Sequence, residues 1–177
     1  YSVQDILDFN TRFFVGLEWY EQTLNDARFI DAFVRQVLFS ASVLAVEVPL
    51  GIFVARGIPK GSRLTPVLLI VLAVPLLVPW NVVGTIWQIY ARPDIGLLGY
   101  SVNALGIEFN YTADSAHAWI TLVLMDVWHW TSLVALLAFA GFTSIPGAYY
   151  QAADLDGASR WQVFRFVELP KLRGVLI

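Results

Sequence analysis

The stretch that decides the fold is GAYYQAADLDGASRWQVFRFVELP, residues 147–170. It is rich in polar residues and directly follows a long apolar run. Gly157 lies near its middle and can adopt the backbone conformation that a tight turn requires. Pro170 is predicted to end the stretch, because the residue before a proline is biased away from the helical region. The pattern therefore predicts two short helices joined at Gly157.

Capping residues support this helical hairpin. Ser144 is predicted to cap the first helix, with Pro146 in its first turn, where proline is tolerated, and the helix running to about Leu155. Ser159 is followed three residues later by Gln162, which is the spacing of a capping box. The sequence thus predicts a start for each helix as well as the turn between them.

The hairpin combines small side chains with aromatic ones. Ala152, Ala153 and Ala158 would let another surface approach the backbone closely, while Trp161 and Phe164 are three apart and share a face. These features fit an element that docks on a partner. They also fit an amphipathic helix lying on a bilayer, and the residues alone leave both interpretations open.

The composition indicates a membrane protein. Of 177 residues, 58% are hydrophobic and 14% are charged, and the mean hydropathy is +0.64. Soluble domains are about 45–50% apolar and about 25% charged. The chain has no cysteine, two histidines and a net charge of −3. It therefore offers no thiolate or disulfide, argues against a histidine-based metal site and gives no indication of nucleic-acid binding.

Three apolar stretches are long enough to cross a bilayer as helices, which takes about 20 residues. Three such runs in so short a chain disfavour the alternative of buried helices in a soluble protein. Pro75 and Pro79 predict a bend in the second stretch. The predicted spans cover residues 37–55, 65–91 and 119–143.

The distribution of Lys and Arg predicts the orientation, since basic loops remain in the cytoplasm. The loop between the first two spans carries Arg56, Lys60 and Arg63 and no acid, and the segment after the third span carries four more basic residues. Residues 1–36 contain six acids and three bases, and residues 92–116 contain three acids and one base. The hairpin is therefore expected in the cytoplasm and the start of the chain outside.

This orientation gives a predicted organisation in four parts. An external segment leads into the first span, a three-span core includes an external loop over 92–118, a cytoplasmic loop follows, and a further span begins. An acidic segment at the start of the chain needs a preceding span to carry it across the membrane. We therefore expect one more span before Tyr1 and at least one after Ile177. The four parts are residues 1–36, 37–143, 144–170 and 171–177.

The run QAADLDGASRWQVFRFVELP resembles the cytoplasmic loop of ABC importer permeases, in which Glu-Ala-Ala is followed by a glycine and then by an apolar residue and Leu-Pro. Ala152, Ala153, Gly157, Leu169 and Pro170 match this pattern. The Asp-Gly-Ala version is similar to the carbohydrate branch, which includes maltose, glycerol-phosphate and polyol systems. GLLGYSVNALGI and DVWHWTSLVALLAFAGFTSIP occur upstream in the family's order. The resemblance covers most of the chain from about Phe33.

The resemblance departs from the family at one position, where glutamine replaces the glutamate. Gln151 can hydrogen-bond but cannot form an ion pair, so a charge-assisted contact with an ATPase is not expected there. The loop residues that the resemblance assigns to ATPase coupling are Gln151, Ala152, Ala153, Asp156, Gly157, Ala158, Leu169 and Pro170.

The resemblance implies an all-α, type I importer permease fold, with about three transmembrane helices in this fragment and a coupling helix in the hairpin. It implies a multi-pass subunit of the bacterial inner membrane that carries a sugar or polyol. The expected partners are a cytoplasmic ABC ATPase dimer, a second and usually different permease, an external solute-binding protein and the lipid bilayer. ATP and magnesium would bind the ATPase, so the chain itself would be neither an enzyme nor a cofactor-binding protein.

Polar side chains within the spans are candidates for function, because charges in the bilayer are costly. Glu47 lies in the first span near Pro49, and a kinked helix whose freed carbonyl needs a partner is the structural alternative for this residue. Asp126 and His129 are three apart in the third span. Solute contact and helix packing both remain open for this pair. An ion-coupled carrier or a membrane enzyme could use the same three groups, but neither explains the hairpin. The candidate pathway residues are Asn81, Asp126, Trp128, His129 and Trp130.

Overall fold

The computed structural model describes residues 4–8 and 11–176, in two units of residues 1–42 and 43–177. The first unit begins with two antiparallel strands, in which Gln4 lies opposite Phe14. The all-α fold expected from the sequence does not include this strand pair. The other described elements are helical, which confirms the all-α class for the rest of the described residues. The elements of the first unit are β1 (Gln4–Asp8), β2 (Thr11–Phe14), α1 (Glu18–Asn25) and the start of α2 (Ala27–Gly57).

Helix α2 contains the first predicted span and is longer than it. Its 31 residues correspond to about 46 Å, more than the roughly 30 Å of a hydrocarbon core. Within the second unit its buried residues include Val43, Glu47, Gly51 and Ala55, which are spaced by four and therefore share a face. Arg56 lies in the last turn, where a cation interacts favourably with the helix dipole.

The second predicted span is divided into two helices at Pro79. Helices α3 (Thr65–Leu77) and α4 (Trp80–Tyr90) meet at an angle of 92°. Val78, immediately before the proline, is extended with ψ 120°, as the clash with the proline ring requires. The predicted bend is confirmed, and the pair forms a broken span or a re-entrant loop rather than one straight helix.

A short helix, α5 (Leu97–Ala104), lies in the predicted external loop. Its start packs closely on the end of α4. A Cβ atom at Gly96 would lie 2.5 Å from the Ile89 carbonyl oxygen, and one at Gly99 would lie 2.6 Å from the Ala91 oxygen. These glycines permit a backbone contact that any side chain would prevent.

Helix α6 (Ser115–Ser144) contains the third predicted span and begins four residues before it. Asp114 sets this start, because its carboxylate accepts hydrogen bonds from the backbone N–H groups of Ala116 and His117 at 2.8 and 2.9 Å. The His117 N–H, followed by the Ala116 N–H, holds the pKa of Asp114 below its usual value. An aspartate N-cap was therefore the missed signal for the helix boundary.

The main core of the second unit lies where α2 and α6 end. Leu172, in the helix after the hairpin, is 1% exposed and joins this cluster. The cluster therefore fixes the end of the hairpin to the two long helices. Its buried members are Ile52, Ala55, Ile58, Ala138, Phe139, Phe142, Ile145 and Leu172.

The hairpin region contains four helical segments. The first ends at Leu155 as predicted, but Ser144 does not cap it. Ser144 is the last residue of α6 and its hydroxyl donates to the Gly141 carbonyl at 2.8 Å, while Pro146 precedes the new helix. The segments are α7 (Gly147–Leu155), α8 (Arg160–Val163), a π-helical segment (Phe164–Glu168) and α9 (Leu169–Leu176).

Pro170 does not end the helix, which corrects a second expectation. The chain remains helical through it into α9, and Leu169 before it is α-helical with φ −60° and ψ −42°. The π-helical segment lies directly before the proline, and the Leu169 N–H bonds to the Phe164 carbonyl, five residues back. Such a bulge lets the ladder pass a residue that has no N–H.

Candidate functional site

The turn of the hairpin has the predicted geometry. Gly157 has φ +68°, a conformation that costs other residues steric strain. The capping box is confirmed: the Ser159 N–H donates to the Gln162 side-chain oxygen at 2.7 Å, and the Gln162 N–H donates to the Ser159 hydroxyl at 3.3 Å. The rings of Trp161 and Phe164 lie 5.4 Å apart. The hairpin is therefore held by local contacts.

An open groove of about 450 Å³ lies between the two arms of the hairpin. Five of the eight predicted coupling residues line it. Gln151 does not, Leu169 lines a separate groove of about 390 Å³, and Pro170 lines neither. The residues lining the hairpin groove are Tyr149, Ala152, Ala153, Asp156, Gly157, Ala158, Gln162, Val163, Phe166 and Val167.

Three large apolar side chains project from the hairpin. Leu155 is 90% exposed, Phe166 71% and Trp161 64%. Large exposed apolar groups mark a surface that contacts another molecule. Phe166 lines the hairpin groove, whereas Trp161 lines a separate groove against α2.

A buried glutamate connects the hairpin to the end of α2. Glu168 is 8% exposed, and its Oε2 lies 3.1 Å from Nε of Arg56. This approach is an ion pair rather than an aligned hydrogen bond, because Oε2 has no hydrogen-bond partner among the described residues. The Arg56 guanidinium also lies 4.5 Å from the centre of the Phe164 ring. Arg56 therefore contacts the π-helical segment at both its ends.

Tyr150 contacts the same glutamate from α7. Its hydroxyl donates to Oε1 of Glu168 at 3.4 Å, which is long for a hydrogen bond between oxygens. Burial, and then the nearby Glu168 carboxylate, raise the pKa of Tyr150 above its usual value. The tyrosine is therefore a neutral donor, and Arg56 is the main partner of Glu168.

Lys60 completes the contacts at this end of the unit. Its ammonium donates to the Phe142 carbonyl at 3.0 Å and to the Tyr150 hydroxyl at 3.3 Å. In a continued helix the Phe142 carbonyl would bond to the N–H of residue 146, but Pro146 has none. Lys60 satisfies this carbonyl instead, so the loop after α2 is fastened to the end of α6.

The intramembrane polar residues form a second candidate site. Glu47 and His129 are buried, at 7% and 5% exposure, and Asp126 interacts electrostatically with both. Nδ1 of His129 and the Thr131 hydroxyl have no hydrogen-bond partner among the described residues. The structure thus brings Glu47 to the predicted Asp126–His129 pair.

Aromatic rings lie around His129, one member of this polar group. The Trp80 ring lies 4.9 Å from the His129 ring and 6.5 Å from the Trp130 ring, and Trp87 lies 6.3 Å from Trp128. Helices α4 and α6 therefore meet through tryptophans.

An apolar cavity of about 510 Å³ lies beside these rings. Of the five predicted pathway residues it includes Trp128 alone, and Asn81 is exposed elsewhere on α4. The other four predicted residues therefore do not line this cavity. The lining residues are Leu50, Ile86, Trp87, Tyr90, Leu124, Val127 and Trp128.

The chain matches a known family over most of its length. A family model described as "Binding-protein-dependent transport system inner membrane component" covers residues 47–177. The chain belongs to this family. The match includes the hairpin, its groove and both candidate sites, which confirms the family that the loop motif indicated.

Curated relatives include sugar and glycerol-phosphate permeases. The chain is 31% identical over 165 residues to the trehalose/maltose transport system permease protein MalF of Thermococcus litoralis, covering 93% of this chain and 56% of that protein. It is 30% identical over 179 residues to the sn-glycerol-3-phosphate transport system permease protein UgpA of Pectobacterium atrosepticum, covering 99% and 60%. The chain thus spans somewhat more than half the length of these relatives.

The fold of this transport-system component matches solved ABC transporters. A chain of a bacterial ABC transporter involved in import of the acidic polysaccharide alginate superposes with a TM-score of 0.75 at 20% identity, over 90% of this chain and 57% of that one. The alginate transporter in complex with an alginate pentasaccharide-bound periplasmic protein gives the same TM-score and identity over 89% and 56%. At this identity the likeness establishes the permease fold.

The motif did not identify the residues that fasten the hairpin. Arg56, Lys60, Tyr150 and Glu168 all lie outside the matched pattern, although the Val-Glu-Leu-Pro run places an acid beside the Leu-Pro pair. A charge at a position that must be buried was the available signal. Its partner on α2 could be found only from the packing.

Proposed function

We propose that this chain is the membrane-spanning permease subunit of an ATP-driven importer for a sugar or polyol, and that its hairpin couples the spans to a cytoplasmic ATPase. The observation that carries the proposal is the groove between α7 and the second arm. It is lined by Ala152, Ala153, Asp156, Gly157 and Ala158, which are residues of the family loop. It lies on the side of the chain that the basic loops predict to be cytoplasmic.

The proposed coupling is mechanical. ATP closes an ATPase dimer, the seat of the hairpin moves, and the spans change from an inward-facing to an outward-facing state. ATP must then bind one conformation more tightly than the other for the population to shift. The chain itself provides the pathway and the linkage, while ATP and magnesium bind the partner. A binding protein delivers the solute from outside, and a second permease completes the pathway.

The substrate class rests on the relatives and on the aromatic groups of α4 and α6. Tryptophan rings pack on the apolar faces of sugars, and polar side chains provide the hydrogen bonds that specify hydroxyl groups. The Asp126–His129 pair beside Trp80 and Trp130 supplies both kinds of contact. An ion-coupled carrier or a membrane enzyme could use these polar groups as well, but neither has a use for the hairpin groove.

Co-purification tests the proposal as a whole. The full-length subunit, tagged and extracted from its native membrane, is expected to bring an ABC ATPase with it. Uptake in proteoliposomes with the binding protein is expected to require ATP. Uptake driven by a proton or sodium gradient without ATP would instead support the carrier, and chemical turnover without the ATPase would support the enzyme.

A separate prediction concerns the solute. If Asp126 and His129 contact it, D126A and H129A should change the relative uptake of competing sugars by about 10- to 100-fold, the value of a hydrogen bond to a charged group. ATPase assembly should remain intact. Competition uptake in proteoliposomes measures the effect, and E108Q, at an exposed residue of the external loop, is the control. Unchanged selectivity would assign the pair to helix packing.

A further inference from the structure

The contacts between the hairpin and the long helices converge on one side chain. Glu168 is buried, faces Arg56 at the end of α2 and accepts a hydrogen bond from Tyr150 on α7. Tyr150 in turn accepts from Lys60, which holds the end of α6. One carboxylate thus lies between the two arms of the hairpin and the ends of both long helices.

We propose that Glu168 is a positioning residue for coupling, and that its ion pair with Arg56 makes α2 move together with the hairpin. This proposal rests on the proposed function, because it concerns how movement of the hairpin reaches the spans. The hairpin has no covalent link to α2 nearby in sequence, since more than 100 residues separate Arg56 from Glu168. Side-chain contacts must therefore carry the force between them.

The surroundings of the pair explain why it can act as a firm link. An exposed ion pair contributes little to the free energy of unfolding, because water and salt screen the attraction between its charges. The Glu168 side chain is only 11% exposed, whereas that of Arg56 is 36% exposed. Loss of the arginine would therefore leave a buried charge without its counter-ion, which is costly. Loss of the carboxylate would leave an arginine that water can still reach.

The π-helical segment positions the two residues that contact Arg56. Arg56 contacts the ring of Phe164 at its start and the carboxylate of Glu168 at its end. A π-helical turn spans one residue more than an α-helical turn, so the segment changes which side chains face α2. Leu172, one further turn along, enters the core at 1% exposure. The bulge thus directs Glu168 toward Arg56 and Leu172 toward the core.

The asymmetry of burial gives a specific prediction for three variants. E168Q should raise the ATP hydrolysed per solute molecule imported, by between about 2-fold and about 30-fold, the range found for coupling networks. R56Q should have a larger effect, because it leaves the buried carboxylate unpaired. Adding E168Q to R56Q should restore part of the loss, because the unpaired buried charge is then removed.

The experiment uses the complete transporter in proteoliposomes with its binding protein, and measures uptake and ATP hydrolysis in equal amounts of assembled complex. E108Q, at an exposed glutamate of the external loop, is the matched control and should leave the ratio unchanged. If E168Q keeps the wild-type ratio in assembled complexes, or only lowers their yield, the pair has a structural role alone and the proposal is overturned. A wild-type chain that recruits no ATPase would instead overturn the proposed function, so the two failures are distinguishable. If R56Q does not assemble, the ATP hydrolysed per solute molecule in E168Q, compared with that in E108Q, still tests the proposal.

Discussion

Replacing Gly157 with valine is expected to abolish coupling between ATP hydrolysis and uptake, or to prevent assembly with the ATPase. Gly157 has φ +68°, and a side chain in this left-handed region costs about 1–2 kcal/mol. A β-branched residue is among the least tolerant. That cost corresponds to roughly 5- to 30-fold in the population of a correctly formed turn. The added side chain would also project beside the groove that Gly157 lines.

The measurement combines co-purification of the ATPase with uptake and ATP hydrolysis in proteoliposomes. Two controls separate the turn from the groove. Asparagine tolerates the left-handed region, so G157N should keep the turn and show what a side chain alone does to docking. Gly61 has φ +74° with no atom near an added Cβ, so G61V imposes similar strain outside the hairpin.

Two outcomes would contradict the docking role of the hairpin. Full uptake and normal assembly in G157V would count against any function of the hairpin turn. Equal losses in G61V and G157V would assign the effect to strain anywhere on the predicted cytoplasmic side. Loss in G157V alone, with G157N intermediate, is the result that docking in this groove predicts.

The hairpin was predictable because its signals are local. A capping box, a glycine turn and a family motif lie within 24 residues, residues 147–170, and each depends on neighbours a few positions away. Two local signals were nevertheless misread. Ser144 continues α6 because its hydroxyl bonds back to the Gly141 carbonyl, and Pro170 is accommodated by the π-helical segment before it.

The spans were predictable for a similar reason, since hydropathy and proline placement act along the chain. The bend at Pro79 follows from the restriction that proline places on Val78. The strand pair near the start of the chain was missed because the short segments carry little apolar pattern.

What the sequence could not supply are the pairings between distant segments. Nothing in the pattern joins Arg56 to Glu168, or Lys60 to the carbonyl that Pro146 leaves free. The sequence also could not show which of the predicted pathway residues share a cavity. Trp128 lines the apolar cavity, whereas the others do not, because residues adjacent on a helix point in different directions.

The second large effect is expected at the contact between α2 and α6. Even alanine at Gly51 should disturb it, because an added Cβ would lie 2.6 Å from Cγ1 of Val134 and 3.1 Å from the backbone nitrogen of Ala135. Overpacking of this kind costs about 1–3 kcal/mol, and G51L should prevent stable folding. Thermal unfolding of the full-length subunit in detergent measures the loss.

Second-site and control variants test whether the clash at Gly51 causes the loss of stability. G51A combined with V134A removes the Cγ1 contact but leaves the Cβ of residue 134 at 2.7 Å and the Ala135 nitrogen at 3.1 Å, so it should recover only a small part of the stability. Gly84, on α4, has no atom within 4 Å of an added Cβ, and G84A should be neutral or slightly stabilising because alanine favours helices. Small residues at helix contacts let membrane helices approach closely. If G51A were tolerated as well as G84A, α2 and α6 could not meet at Gly51, and the core that holds the hairpin would have to be built differently.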